Sequence, residues 1–137
     1  MLQTRFPEHP LMQSLLRRSY RQIAEELLAE RKMLGFPPRA RVVMFRCDAL
    51  ELKQALEKLE TIKAILLQTS RIGEISCIGP MPALMTRRIG RYRGQLCLLS
   101  TSYQALRAVL NQAMPQIQQV PSSAKISWSI DVDAYDL

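Results

Sequence analysis

Lys125-Ile126-Ser127-Trp128-Ser129-Ile130-Asp131-Val132 alternates without a break, with Ile126, Trp128, Ile130 and Val132 on one side and Lys125, Ser127, Ser129 and Asp131 on the other. Successive side chains of a strand point to opposite faces, so this is a strand with one apolar face and one polar face. Upstream of it, Ser102 is placed to cap a helix from Tyr103 to about Gln118, and Pro115 is expected to kink or shorten that helix. Tyr92 to Ser100, carrying Leu96, Leu98 and Leu99, reads as a second strand. Before it stand a short β-branched run, Glu74 to Ile78, which Gly79-Pro80 should end, and a Pro- and Arg-containing connection from Met81 to about Gly90. Asp48 with Glu51 has the spacing of a capping box. It should open a helix to about Thr69, with Leu52, Leu56, Leu59, Ile62 and Leu66 on one face and Glu and Lys residues on a solvated face. Residues 40–47, Ala-Arg-Val-Val-Met-Phe-Arg-Cys, are short and rich in strand formers. The order is strand, helix, strand, strand, helix, strand. That is an α+β domain of the split βαβ (βαββαβ) kind, a four-stranded antiparallel-rich sheet with two helices on one face.

Residues 1–38 read as a two-helix appendage to the main domain, 39–137. Pro7 and Pro10 bracket the start of a helix through Leu11, Leu15 and Leu16. Ser19 with Gln22 can box the start of a second, in which Tyr20, Ile23, Leu27 and Leu34 recur at helical spacing. Gly35 is a natural stop and Pro37-Pro38 forbids continuation, which places the boundary at 35–39.

Several function classes find no support. No apolar run is long enough to span a bilayer, and the start lacks the pattern of a signal peptide, so a soluble cytoplasmic protein is the expectation. Cys47, Cys77 and Cys97 are too far apart for a metal motif and are expected as buried thiols; the sole histidine, His9, lies far from all three. No Walker-type loop or dinucleotide fingerprint is present, and no Ser-His-Asp set can be assembled. Asp131 and Asp133 are spaced to share a strand face, as a metal or acid–base pair would, but lack a third ligand; a solvated or strand-ending role fits them better. The chain reads as a binding module rather than a catalyst, with no cofactor of its own.

The net charge of +7 is unevenly spread. Between Ile75 and Ile130 there is no Asp or Glu, yet there are six Lys or Arg, four of them within seven positions: Arg87, Arg88, Arg91 and Arg93. No nearby carboxylate cancels the field a polyanion would meet there. Guanidinium forks suit phosphate or carboxylate, and Tyr92 among them could stack on a base. Strand alternation puts Arg91, Arg93 and Gln95 on one face and Tyr92, Gly94 and Leu96 on the other. DNA, RNA and an acidic peptide all fit this pattern, as does a solvated strand edge kept soluble by charge.

Four blocks carry a family resemblance. Leu2-Gln3-Thr4 with Phe6-Pro7-Glu8-His9-Pro10-Leu11 is similar to the exit of a second helicase lobe, and Ala29 to Pro38 to a linker helix with a Gly-x-Pro-Pro stop. The most specific block is Gly79-Pro80-Met81-Pro82-Ala83 followed by Arg88-Ile89-Gly90-Arg91-Tyr92-Arg93 and Gln95-Leu96; Trp128 to Asp133 is similar to a closing strand. Together, in this order, they resemble the C-terminal region of primosomal protein N-prime (PriA), the bacterial replication-restart DNA helicase. Two positions depart from the family pattern, Gly94 where a large residue is common and Ala134 where proline is common.

The resemblance implies a parent that recognises stalled or branched forks, unwinds DNA with ATP and starts primosome reassembly. It implies that the nucleotide site, with ATP and magnesium, and a zinc-binding cysteine cluster lie upstream, and that this chain is a fragment cut where the helicase lobe ends. It implies a fold like that of a small-subunit ribosomal protein. It also implies partners: branched or forked DNA, the upstream helicase lobes, other primosome proteins, and the acidic tail of single-stranded DNA-binding protein. Arg87, Arg88, Arg91, Tyr92 and Arg93 are then the DNA-binding candidates. Arg91 and Gln95, on one strand face, are the candidates for the acidic tail.

Overall fold

A computed structural model describes residues 3–71, 73–121 and 125–133, and the chain divides into two compact units, Met1–Arg39 and Ala40–Leu137. The first unit holds α1 (Pro10–Arg17) and α2 (Tyr20–Met33). Pro10 sits in the first turn of α1, where no amide donor is needed, and the ring of His9 accepts from the Leu11 N–H at 3.2 Å. At the start of α2 the Gln22 side chain accepts from the Ser19 N–H at 3.3 Å, one arm of the expected capping box. Gly35 ends α2 with φ +67, its N–H bonding Lys32 O while the Phe36 N–H reaches Arg31 O at 2.9 Å. That pair of bonds is a Schellman stop, and it requires the left-handed conformation that glycine tolerates. Leu16, Tyr20, Met33 and Leu34 are exposed.

In the second unit the order is β1 (Arg41–Ala49), α3 (Leu52–Thr69), β2 (Ser76–Arg88), β3 (Arg91–Ser100), α4 (Tyr103–Gln119) and β4 (Ser127–Val132). The strands form one sheet in the order β2-β3-β1-β4, every neighbouring pair antiparallel. This is the expected α+β split βαβ arrangement. One core joins β1 (Val43, Phe45, Cys47, Ala49) and β3 (Leu96, Leu98) to α3 (Ala55, Leu59, Ile62, Leu66) and α4 (Leu106, Val109, Ala113, Ile117). The two helices present these residues at helical spacing, and the strands at a spacing of two. Trp128 of β4 stacks on Phe45 with ring centroids 6.4 Å apart, and the Ser102 hydroxyl caps α4 by accepting from the Ala105 N–H.

Four local expectations need correction. β2 does not end at Gly79-Pro80 but continues to Arg88, through a cis peptide and two register shifts, at Ile78/Met81 and Pro82/Arg87. An edge strand tolerates this because its outer side needs no ladder partner for residues without an N–H. Asp48 does not cap α3. It remains in β1, where Arg93 takes its carboxylate, and Glu51 occupies the cap position without a side-chain bond. Pro115 does not shorten α4; it and Asn111 are both exposed, so the carbonyl it cannot bond is open to water. Lys58 is not on a solvated face. It is 6% exposed and its Nζ donates to Val120 O at 2.9 Å and to Pro121 O at 3.3 Å, an ammonium held against the C-terminal carbonyls of α4.

Gly94 lies where α3 packs tightly on the sheet. A Cβ built there would stand 3.0 Å from Leu59 Cδ1 and 3.2 Å from Leu56 Cδ2. The space that a large residue would need is filled here by α3 itself. Gly94→Val should therefore cost about 1–3 kcal/mol through overpacking, read as a lowered melting temperature. Lys58→Met keeps the aliphatic stem but leaves two carbonyls without the ammonium. It should cost about 1–3 kcal/mol in urea denaturation.

Candidate functional site

β2 and β3 form a hairpin closed by a two-residue turn, Ile89-Gly90, with Arg88 paired to Arg91 and Arg87 to Tyr92. Both turn residues have positive φ, 49° and 73°, the requirement of a tight hairpin whose twist matches its strands. The run of arginines is thereby folded back on itself, two on each strand. Pairing across the sheet sets the faces. Gly94 packs on α3 and Leu96 lies in the core beneath it. Arg91, Arg93 and Gln95 belong to the opposite face, as strand alternation requires.

The arginines have different surroundings. Arg87 is exposed, with its guanidinium 5.5 Å from the centre of the Tyr92 ring, a cation–π contact. Among the described residues no carboxylate pairs with it. The Arg88 side chain lies outside what the structure describes. Arg93 forms a two-point contact with Asp48, Nε to Oδ1 at 2.8 Å and Nη2 to Oδ2 at 3.0 Å. The two residues face each other directly in the β1–β3 register, so the pair staples the strands. Arg91 donates from Nη2 to the backbone oxygens of Asp48 and Lys125, tying β3 to β1 and to the entry of β4, while its Nε is buried with no hydrogen-bond partner. Gln95 lies two strand steps from Arg91, with Arg93 between them, and is paired in register with Arg46.

Arg46 and Asp48 are parts of this surface that residue patterning alone does not reveal. Arg46 Nη1 donates to Asp131 Oδ2 of β4 at 2.8 Å, so ion pairs on one sheet face join β3 to β1 and β1 to β4. The only clue in the sequence is that two charges, Arg46 and Asp48, occupy alternate positions in an otherwise apolar strand. Asp133 lies beyond the end of β4, 3.6 Å from Arg41. Asp131 and Asp133 thus serve two different arginines, and no group of three His, Cys, Asp or Glu side chains among the described residues is arranged around a common point. Cys47 is fully buried, and burial, with the nearby Asp48, pushes its thiol up to about 11 against the smaller pull of Lys58 and Arg91. Burial also raises Cys77 and Cys97.

The Asp48–Arg93 side chains are 27% and 25% exposed, enough burial for the pair to matter to the fold. A double-mutant cycle with Asp48→Ala and Arg93→Ala should give a coupling energy of about 1–2 kcal/mol in urea denaturation.

Comparison with known proteins shows the family to which the chain belongs. Residues 32–135 match the family described as Primosomal protein N C-terminal domain. The Replication restart protein PriA of Haemophilus influenzae is 33% identical over 139 residues, an alignment that covers 100% of this chain and 18% of that protein. Those of Synechocystis sp. and of Buchnera aphidicola subsp. Schizaphis graminum are 29% and 25% identical, covering 97% and 98% of this chain and 15% and 19% of their own lengths. The chain therefore spans a fifth or less of the length of these relatives. No described helix is long and apolar enough to cross a membrane. With a matching family domain over most of its length and a relative one-third identical along all of it, the chain belongs to the primosomal protein N C-terminal domain family.

Proposed function

We propose that residues 40–137 are a non-catalytic DNA-binding domain that helps a replication-restart helicase hold branched or forked DNA and supports primosome reassembly at stalled forks. One observation carries this reading. The β2–β3 hairpin concentrates four arginines at its closed end, within 56 residues that contain no Asp or Glu. Asp48 of β1 offsets Arg93, contrary to the expectation that no nearby carboxylate does so; a phosphate backbone would meet the remaining positive charge, which nothing on the hairpin or on α4 offsets. Arg87, exposed and oriented by Tyr92, is the leading phosphate contact, and Arg88, next in sequence, is a further candidate. Arg91 adds to the field, and Arg93, paired with Asp48, joins it in bracing the hairpin against β1.

The relatives, named replication restart proteins, support the biological setting. ATP hydrolysis with its magnesium, and a zinc cluster, are assigned to the parts of the longer proteins that this chain does not span. The exposed Leu16, Tyr20, Met33 and Leu34 of the first unit suit a contact with helicase lobes of the same protein or with other primosome proteins.

A second reading has its own support. The buried Nε of Arg91 lacks a partner, and Gln95 shares its face. A guanidinium and an amide on one strand face suit capture of a terminal carboxylate, as in the acidic tail of single-stranded DNA-binding protein, with DNA contact incidental.

Fluorescence anisotropy with a forked DNA, a plain duplex and a single strand, each across a salt series, separates the two. The first reading expects the fork to bind tightest, and Arg87→Ala to make the salt slope shallower by about 1. Equal and feeble binding to all three, with tight binding of a tail peptide that Arg91→Ala abolishes, would establish the second reading instead.

A further inference from the structure

The distal part of the hairpin carries three large apolar side chains in solvent: Leu84 at 91% exposure, Met85 at 64% and Ile89 at 90%. Single exposed leucines are ordinary, but three large apolar side chains in solvent within six positions at one end of a hairpin call for a use. The backbone puts them there. The register shift between Pro82 and Arg87 leaves residues 83–86 outside the ladder, and the Thr86 hydroxyl closes this loop by donating to Ala83 O at 2.9 Å. Ala83 is buried, while Leu84 and Met85 project outward. Ile89 holds φ +49 at the turn. That region is costly for a β-branched side chain, and Asn or Gly would fit it better. An isoleucine that combines backbone strain with nearly full exposure points to a use for its side chain beyond the fold.

The surroundings select the occupant. Arg87 is adjacent, and no carboxylate occurs between residues 75 and 130. Aliphatic side chains among arginines suit nucleic acid where bases can unstack, with phosphates for the cations and base faces for the aliphatics. We propose that the hairpin tip is an apolar wedge that inserts Ile89, with Leu84 and Met85 behind it, between bases where a DNA duplex opens into single strands. This rests on the DNA-binding reading above and deepens it. The arginines supply affinity, and the wedge supplies preference for a junction, where an adjacent base is already unpaired and unstacking costs least.

The test is one titration of the whole 137-residue chain with two readouts. Forked DNA carries 2-aminopurine at the base pair flanking the junction and a remote dye for anisotropy; a plain duplex carries the same probes. Binding should raise 2-aminopurine fluorescence on the fork and leave the plain duplex unchanged. Ile89→Asn suits the turn, so it should melt no lower than the parent, yet abolish the rise and level the affinities for fork and duplex while the salt dependence persists. Leu84→Ser should weaken the rise. A fork that binds without any 2-aminopurine response, or a response that survives Ile89→Asn, overturns the wedge and leaves DNA binding standing. In that event, unchanged DNA readouts in both variants assign the tip to a protein contact. A chain that binds neither DNA overturns the underlying reading and the wedge together.

Discussion

The central strand β1 has to hold two partly buried charges among its apolar residues, and the sheet is organised around satisfying them. Arg46 and Asp48 sit at alternate positions of a strand that is otherwise almost wholly buried. A charge in that place is tolerated only when paired. Asp131 of β4 answers the first and Arg93 of β3 answers the second. A slip of one residue on either side would turn these partners to the wrong face, so the pairs define the register as well as neutralise it. Arg91 extends the same logic by bonding backbone oxygens of β1 and of the entry to β4.

This division of labour clarifies the arginine run. On β3 the cations are turned inward to the sheet's own carboxylate and carbonyls. On β2 Arg87 is turned outward and held by an aromatic face. Arg91 and Arg93 brace the hairpin against its neighbours in the sheet, and Arg87 is presented to solvent. A rigid support beneath an exposed contact reduces the ordering that binding would otherwise require.

Much of the fold was legible because its signals are local. The alternation of Ile126, Trp128, Ile130 and Val132 and the spacing of Leu59, Ile62 and Leu66 each report one face of one element, and each element formed. The misreadings share a physical cause in partners distant along the chain. Asp48 looks like a cap until Arg93, 45 positions away, is brought opposite it. Lys58 looks solvated until the end of α4, 62 positions away, is folded over it. Gly79-Pro80 looks like a terminator because only the sheet order reveals that β2 is an edge. The arginine cluster was visible as composition. Which arginines are used internally was not, nor was the outward turn of Leu84, Met85 and Ile89, which belongs to the hairpin's register rather than to any periodicity.

The irregular outer strand has a consequence for the chain's behaviour at high concentration. Pro80 and Pro82 offer no amide to an incoming strand, and the two register shifts break β2 into short pieces. A second copy therefore finds no straight template along that border, and end-on stacking of sheets into fibres is blocked there by geometry rather than by charge. The hairpin can remain in solution with apolar side chains at its tip without its flank recruiting neighbours.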